Sequence, residues 1–202
     1  MLKLYYSPGA CAMASHIALE EAGAEYQVEK IDLRAGQQKT PEYLAINPAG
    51  VTPALQTDRG VLTQNAAILP WVAQQNPGAG LLPEDPFELA QVNAFNGFLA
   101  SSVHPMLGRT LFGGLQGEAR EQAAQAALGK LQLVEDWMLK GPWVSGERYT
   151  VSDGYLSVFT RWARQAAMLD PTRFPRLNAH LDQVQARPAV QRVLAEEGIA
   201  PV

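Results

Sequence analysis

Cysteine is almost missing from this chain of 202 residues: Cys11 is the only one. An internal disulfide and a cysteine-built zinc cage are thereby excluded, and whatever the thiol does it does alone or with a second molecule. An excess of one charge is also lacking. Sixteen Lys and Arg stand against 20 Asp and Glu, a net charge of −4 spread without long blocks, so there is no electrostatic footprint for nucleic acid or an anionic membrane. No run approaches the roughly 18 apolar residues of a membrane span. Met1-Leu2-Lys3-Leu4-Tyr5-Tyr6 has neither the apolar stretch nor the cleavage site of a signal peptide. No nucleic-acid or membrane partner is expected, and the expected location is cytoplasmic. Of the 3 histidines, His16 and His180 sit on helix patterns without acid or cysteine neighbours at ligand spacing and read as surface residues, so no metal is expected. What is present, 47% apolar and 18% charged residues, is ordinary globular composition, and a chain of this length should bury roughly 70% of its unfolded surface.

The pattern changes character at Asn76-Pro77-Gly78-Ala79-Gly80-Leu81-Leu82-Pro83, a cluster of helix breakers. Before it, a strand at Leu2 to Tyr6, a helix from Ala12 to Ala22 closed by Gly23, and the alternating Tyr26-Gln27-Val28-Glu29 read as a βαβ unit. Thr40-Pro41-Glu42 opens a short helix that Asn47-Pro48 ends. Val51 to Gln56 and Val61 to Thr63, around the turn Asp58-Arg59-Gly60, read as a hairpin, and a helix follows from about Gln64 to Gln74, with Pro70 expected to kink it. After the breakers every segment has helical spacing: Asp85-Pro86 leading to Phe95, Leu99 and Val103; then Leu131, Val134 and Met138; then Leu177, Leu181 and Val184; and a last short helix from Arg187-Pro188. Thr150-Val151-Ser152-Asp153 reads as a capping box. The expected organisation is an α/β domain over residues 1–77, a linker over 78–85, and an all-α domain over 86–202.

Four places carry candidate chemistry. Ser7-Pro8-Gly9-Ala10-Cys11 between strand and helix puts a thiol near a helix N-terminus, where unpaired amides and the macrodipole favour the thiolate. Two readings stand, an activated nucleophile or a small buried apolar residue. Thr52-Pro53 opens a strand, where the missing N–H must face away from the ladder or lie at a bend. Gln64 and Asn65 open the following helix, either as carboxylate ligands or as a solvated first turn. His104, one residue before Pro105, shares a helical face with Gly97, Ala100 and Ser101, which opens space for either a ligand or a closely packed helix. Trp137, Trp143, Tyr155, Phe159 and Trp162 read as core of the helical half.

Taken together, Tyr5-Tyr6-Ser7-Pro8-Gly9-Ala10-Cys11, the run from Ala45 to Leu55, the run Leu62-Thr63-Gln64-Asn65-Ala66-Ala67-Ile68 and the Thr150 to Asp153 box resemble a glutathione S-transferase in order and spacing. Cys11 and the Ser101-Ser102-Val103-His104 stretch bring the resemblance nearest to the bacterial beta class. It implies a thioredoxin-like α/β domain followed by an all-α domain that forms the electrophile side of the site, usually in a homodimer. It further implies a cis Pro53, Thr52 offering its backbone to the cysteinyl part of glutathione, and Gln64 and Asn65 holding the γ-glutamyl end. Cys11, His104 and Tyr6 are the implied catalytic residues. Several positions depart from the family pattern, among them Asn65 in place of the usual Ser or Thr, Gln64 in place of the beta-class Glu, Ala12 in place of a serine, and a short loop from Arg34 to Thr40. The implied activity is transfer of glutathione sulfur to small hydrophobic electrophiles, as in detoxification. Cys11 is implied to add thiol-disulfide exchange, with disulfide reductase or peroxidase side activity. The alternative is a noncatalytic glutathione or hydrophobic-ligand carrier, because a fold does not establish an activity.

Overall fold

Strand β1 (Leu2–Tyr6) organises the first part of the chain in the computed structural model, which describes residues 1–202. It pairs in parallel with β2 (Tyr26–Lys30) and antiparallel with β3 (Ala54–Thr57), and β4 (Gly60–Thr63) completes a four-stranded sheet of order β2-β1-β3-β4. The period of two along β1 divides its side chains between faces. Tyr5 joins Ile31, Ala54 and Tyr43, the last from the short helix α2 (Pro41–Leu44). Leu4 lies on the opposite side with α1 (Met13–Glu21) and α3 (Asn65–Gln75), whose Met13, Ile17, Ile68, Leu69 and Val72 are all buried. Helix α3 runs through Pro70 without interruption. This is a thioredoxin-like α/β domain followed by a helical region, as the resemblance implies.

The chain divides into two units, Met1–Leu82 with Arg187–Pro201, and Pro83–Ala186 with Val202. The last helix, α9 (Pro188–Glu197), therefore groups with the sheet-bearing segment, and it packs on α1. Arg187 makes two hydrogen bonds to the carboxylate of Glu21, and Arg192 pairs with Glu20.

In the second unit, Asp85 caps α4 (Pro86–Phe98) by accepting from the N–H groups of Phe87 and Glu88. A π-helical segment, Leu99–Val103, leads directly into α5 (His104–Phe112). Pro105 has no N–H to give to the carbonyl one α-helical turn back, and wider winding before it accommodates that loss. Helix α6 (Gly117–Leu133) ends in a second π segment, Val134–Met138. The capping box appears as expected: Asp153 accepts from Thr150 N–H at 2.7 Å at the start of α7 (Val151–Gln165). Helix α8 (Pro175–Gln185) follows, and Phe159, Phe174, Leu177 and Leu181 are fully enclosed.

Two expectations for side-chain placement are corrected. Trp137 is 73% exposed rather than core; in its π segment it is Glu135 that turns inward, where its carboxylate accepts from the N–H groups of Arg176 and Leu177 at the start of α8. His16 and His180 are buried rather than on the surface, because each has a carboxylate partner: Glu197 and Glu196 for His16, Asp153 for His180. Tyr155, Phe159 and Trp162 are core as expected.

Candidate active site

Cys11 is the meeting point of three segments of the first unit. Its thiol points at the Thr52 carbonyl, 3.5 Å away, and its own carbonyl accepts from Asn65 Nδ2 at 2.8 Å. The Thr52–Pro53 bond is cis, as the resemblance implies. The loop ahead of it is tied down through one carbonyl, that of Val51, which accepts from Asn47 Nδ2 at 2.6 Å and from the Tyr43 hydroxyl at 2.8 Å.

The electrostatics of Cys11 differ from the expectation of an activated thiol. Burial pushes the thiol up to about 11, against a lesser downward pull from a backbone hydrogen bond at Cys11. Helix α1 begins two residues later, and its first donors are already used: Met13 N–H bonds to the Ala10 carbonyl at 3.0 Å and Ala14 N–H to that of Cys11 at 3.2 Å. With these two amides paired, burial outweighs what the helix end offers an anion. In the protein free of ligand Cys11 is a protonated, half-buried thiol.

Asn65 is buried and fully engaged, since its Oδ1 accepts from the Ser15 hydroxyl at 2.6 Å while its Nδ2 reaches Cys11. Its side chain is thus a strut between α3 and α1. What this helix start offers a ligand is its backbone: the first intrahelical bonds are those of Ala67 and Ile68 to the Gln64 carbonyl, and the amides of Asn65 and Ala66 precede them. Gln64 is exposed and sits at φ +69°, a conformation an L residue holds only where its surroundings impose it, and such positions cluster at ligand sites.

Tyr6 is buried with its ring 5.4 Å from that of His16. Burial first, then the charges of Glu197 and Glu196, hold its phenol above the ordinary value. In the second unit His104 packs on Phe159 and Trp162 at ring distances of 5.3 and 5.5 Å, and burial holds its imidazole below the ordinary histidine value, so it is neutral at pH 7. The π segment before it breaks the α-helical spacing that would align it with Gly97, Ala100 and Ser101.

Over 207 aligned residues the chain is 36% identical to the glutathione S-transferase GST-4.5 of Xanthomonas campestris pv. campestris, spanning 98% of this chain and all of that protein. The chain belongs to the glutathione S-transferase family. Residues 1–74 match the family of the glutathione S-transferase N-terminal domain. The fold is similar to that of a glutathione transferase homologue from Sulfitobacter with bound glutathione, at 33% identity and a TM-score of 0.90 over 99% of both chains. It is likewise similar to the bacterial beta class glutathione S-transferase of Sphingomonas chungbukensis, at 35% identity and a TM-score of 0.88 over 98% of this chain and all of that one.

Within this glutathione S-transferase, several residues that shape the Cys11 region carry no sequence signal of their own. Ser15 and Glu197 are found only by contact: Ser15 holds Asn65, and Glu197 accepts from Gly9 N–H at 2.7 Å from 188 positions away. Tyr43 and Asn47 lie in the run that carries the resemblance or beside it, yet their shared acceptor, the Val51 carbonyl, emerges only in three dimensions. No helix is long and apolar enough to cross a membrane.

Proposed function

We propose that this protein transfers the sulfur of bound glutathione to small hydrophobic electrophiles, with glutathione rather than Cys11 as the working nucleophile. The carrying observation is the junction at Cys11, where the thiol, the Thr52 backbone and the start of α3 are linked by hydrogen bonds; that glutathione is bound in the Sulfitobacter homologue of closely similar fold supports it. In this reading Thr52 pairs its backbone with the cysteinyl part of the tripeptide, and Pro53, having no N–H, makes no competing bond there. The γ-glutamyl carboxylate takes the amides of Asn65 and Ala66, with Gln64 as an amide partner for the ammonium. A protonated Cys11 suits this arrangement as a neutral S–H donor beside the glutathione sulfur. His104, as a neutral imidazole, donates one hydrogen bond to a thiolate, and Tyr6, its phenol held protonated, has the supporting part of a neutral donor.

A second activity rests on Cys11 being partly exposed: exchange with glutathione disulfide. Deprotonated Cys11 sulfur attacks one sulfur of the disulfide, the S–S bond breaks, and one glutathione leaves as thiolate and takes up the proton. A second glutathione, as thiolate, then attacks the glutathione sulfur of the mixed disulfide, so that glutathione disulfide forms again and Cys11 leaves as thiolate and regains a proton. The reading extends to a homodimer, supported by the exposed Phe87 and Trp137 of the helical unit, and to the reducing cytoplasm, supported by a lone unpaired cysteine.

The test is glutathione-dependent conjugation of an activated aryl chloride, measured on the protein and on Cys11→Ala. Saturable turnover in both, with glutathione disulfide exchange lost only in the variant, is expected. Equal exchange rates in the two proteins eliminate the Cys11 role. Retention on immobilised glutathione without turnover of aryl halide, peroxide or mixed disulfide identifies a carrier, and absence of retention overturns the reading altogether.

A further inference from the structure

The loop of residues 7–12 that carries Cys11 is held from the far end of the chain. Glu197 closes helix α9 with its side chain 0% exposed, and both of its oxygens are in use: Oε2 accepts from Gly9 N–H at 2.7 Å, and Oε1 lies 2.9 Å from His16 Nδ1 on α1. The other nitrogen of the same imidazole lies 3.1 Å from Glu196 Oε2. The place of Glu197 is itself fixed, since Gly198 at φ +69° ends the helix with its N–H on the Ala195 carbonyl and that of Ile199 on Leu194. A buried carboxylate is tolerated only with its lone pairs occupied, so its burial and the conformation of the loop depend on each other.

We propose that Glu197 is the positioning residue of the Cys11 loop, a carboxylate clamp that grips Gly9 and His16 together and so keeps the thiol in its sheltered place beside Thr52. The proposal rests on Cys11 belonging to the site, but not on glutathione being bound. With the clamp removed, the bond from Gly9 N–H to the Glu197 carboxylate is gone, the loop loosens and the thiol gains water. Two ion pairs at the junction of α9 with α1, Arg192 with Glu20 and Arg187 with Glu21, lie outside the loop and supply the control.

The experiment is the rate of Cys11 alkylation by iodoacetamide at pH 8 in the full chain without glutathione, for the wild type, Glu197→Ala, Glu197→Gln and Arg192→Ala. Glu197→Ala is expected to react about tenfold faster, the effect of a one-unit fall in thiol pKa. Glu197→Gln, whose amide oxygen can still accept from Gly9, returns toward the wild-type rate, and Arg192→Ala, which loosens the same helix junction without touching the loop, leaves it unchanged. A Glu197→Ala rate equal to the wild type, or an equal acceleration in Arg192→Ala, overturns the proposal. Should Glu197→Ala not fold, hydrogen exchange in the wild type decides: slow exchange at the Gly9 amide is expected, and exchange as fast as in a free loop contradicts the clamp. Since none of these readouts requires glutathione, failure here is distinguishable from failure of the transferase reading.

Discussion

A thiol at the start of a helix gains stabilisation only from amides that are still unpaired, and around Cys11 those of Met13 and Ala14 already bond to the carbonyls of Ala10 and Cys11. Desolvation therefore decides, and Cys11 is held up at about 11. In the glutathione-free protein its alkylation rate should climb about tenfold per pH unit above neutrality, with no plateau until the pH nears about 11. A plateau near that of a free thiol, about 8.5, contradicts the burial argument. The stability effect has a definite sign: folded Cys11 holds its proton more tightly than the unfolded chain, so this contribution is intact below about 8.5 and is lost as pH rises through about 11. The sequence marks Cys11, Thr52 and Asn65 as worth attention because strand, loop and helix signals surround them. It does not reveal the direction of the thiol shift or the engagement of the Asn65 side chain, since both depend on which neighbouring groups are already hydrogen-bonded.

Elements were legible where their signals are local. The hairpin from its turn, α4 from Asp85-Pro86 and α7 from its capping box follow from a few adjacent residues. The π segments at Leu99–Val103 and Val134–Met138 were not, because a change from α to π winding depends on what the helix packs against as well as on Pro105. The consequence reaches side chains, exposing Trp137 and burying Glu135. At the loop before Pro53, Gly50 has φ +61°, and a Cβ there would lie 2.7 Å from Lys39 Nζ and 2.9 Å from the Gln38 carbonyl oxygen. Gly50→Ala should cost about 2 kcal/mol, combining the left-handed backbone with the close approach. The urea midpoint should fall accordingly, and glutathione affinity with it, since the same loop presents Thr52. An unchanged midpoint would show that the loop is free to adjust.

At the scale of the whole molecule, family membership was readable because four separate motifs occur in the right order, a joint pattern that no single one supplies. The grouping of Arg187–Pro201 with the amino-terminal segment was not readable, because the contacts that hold α9 to α1 are pairs such as Arg187 with Glu21 that carry no signature along the chain. The functional account comes down to a tripeptide held by backbone groups at Thr52 and at the start of α3, with Gln64 lending its side chain. Calorimetric titration of glutathione into the wild type and Gln64→Ala measures this directly. The account requires saturable binding to the wild type, and weaker binding to the variant by about 1 kcal/mol, the ordinary worth of one hydrogen bond. Absence of any saturable heat with the wild type would contradict it.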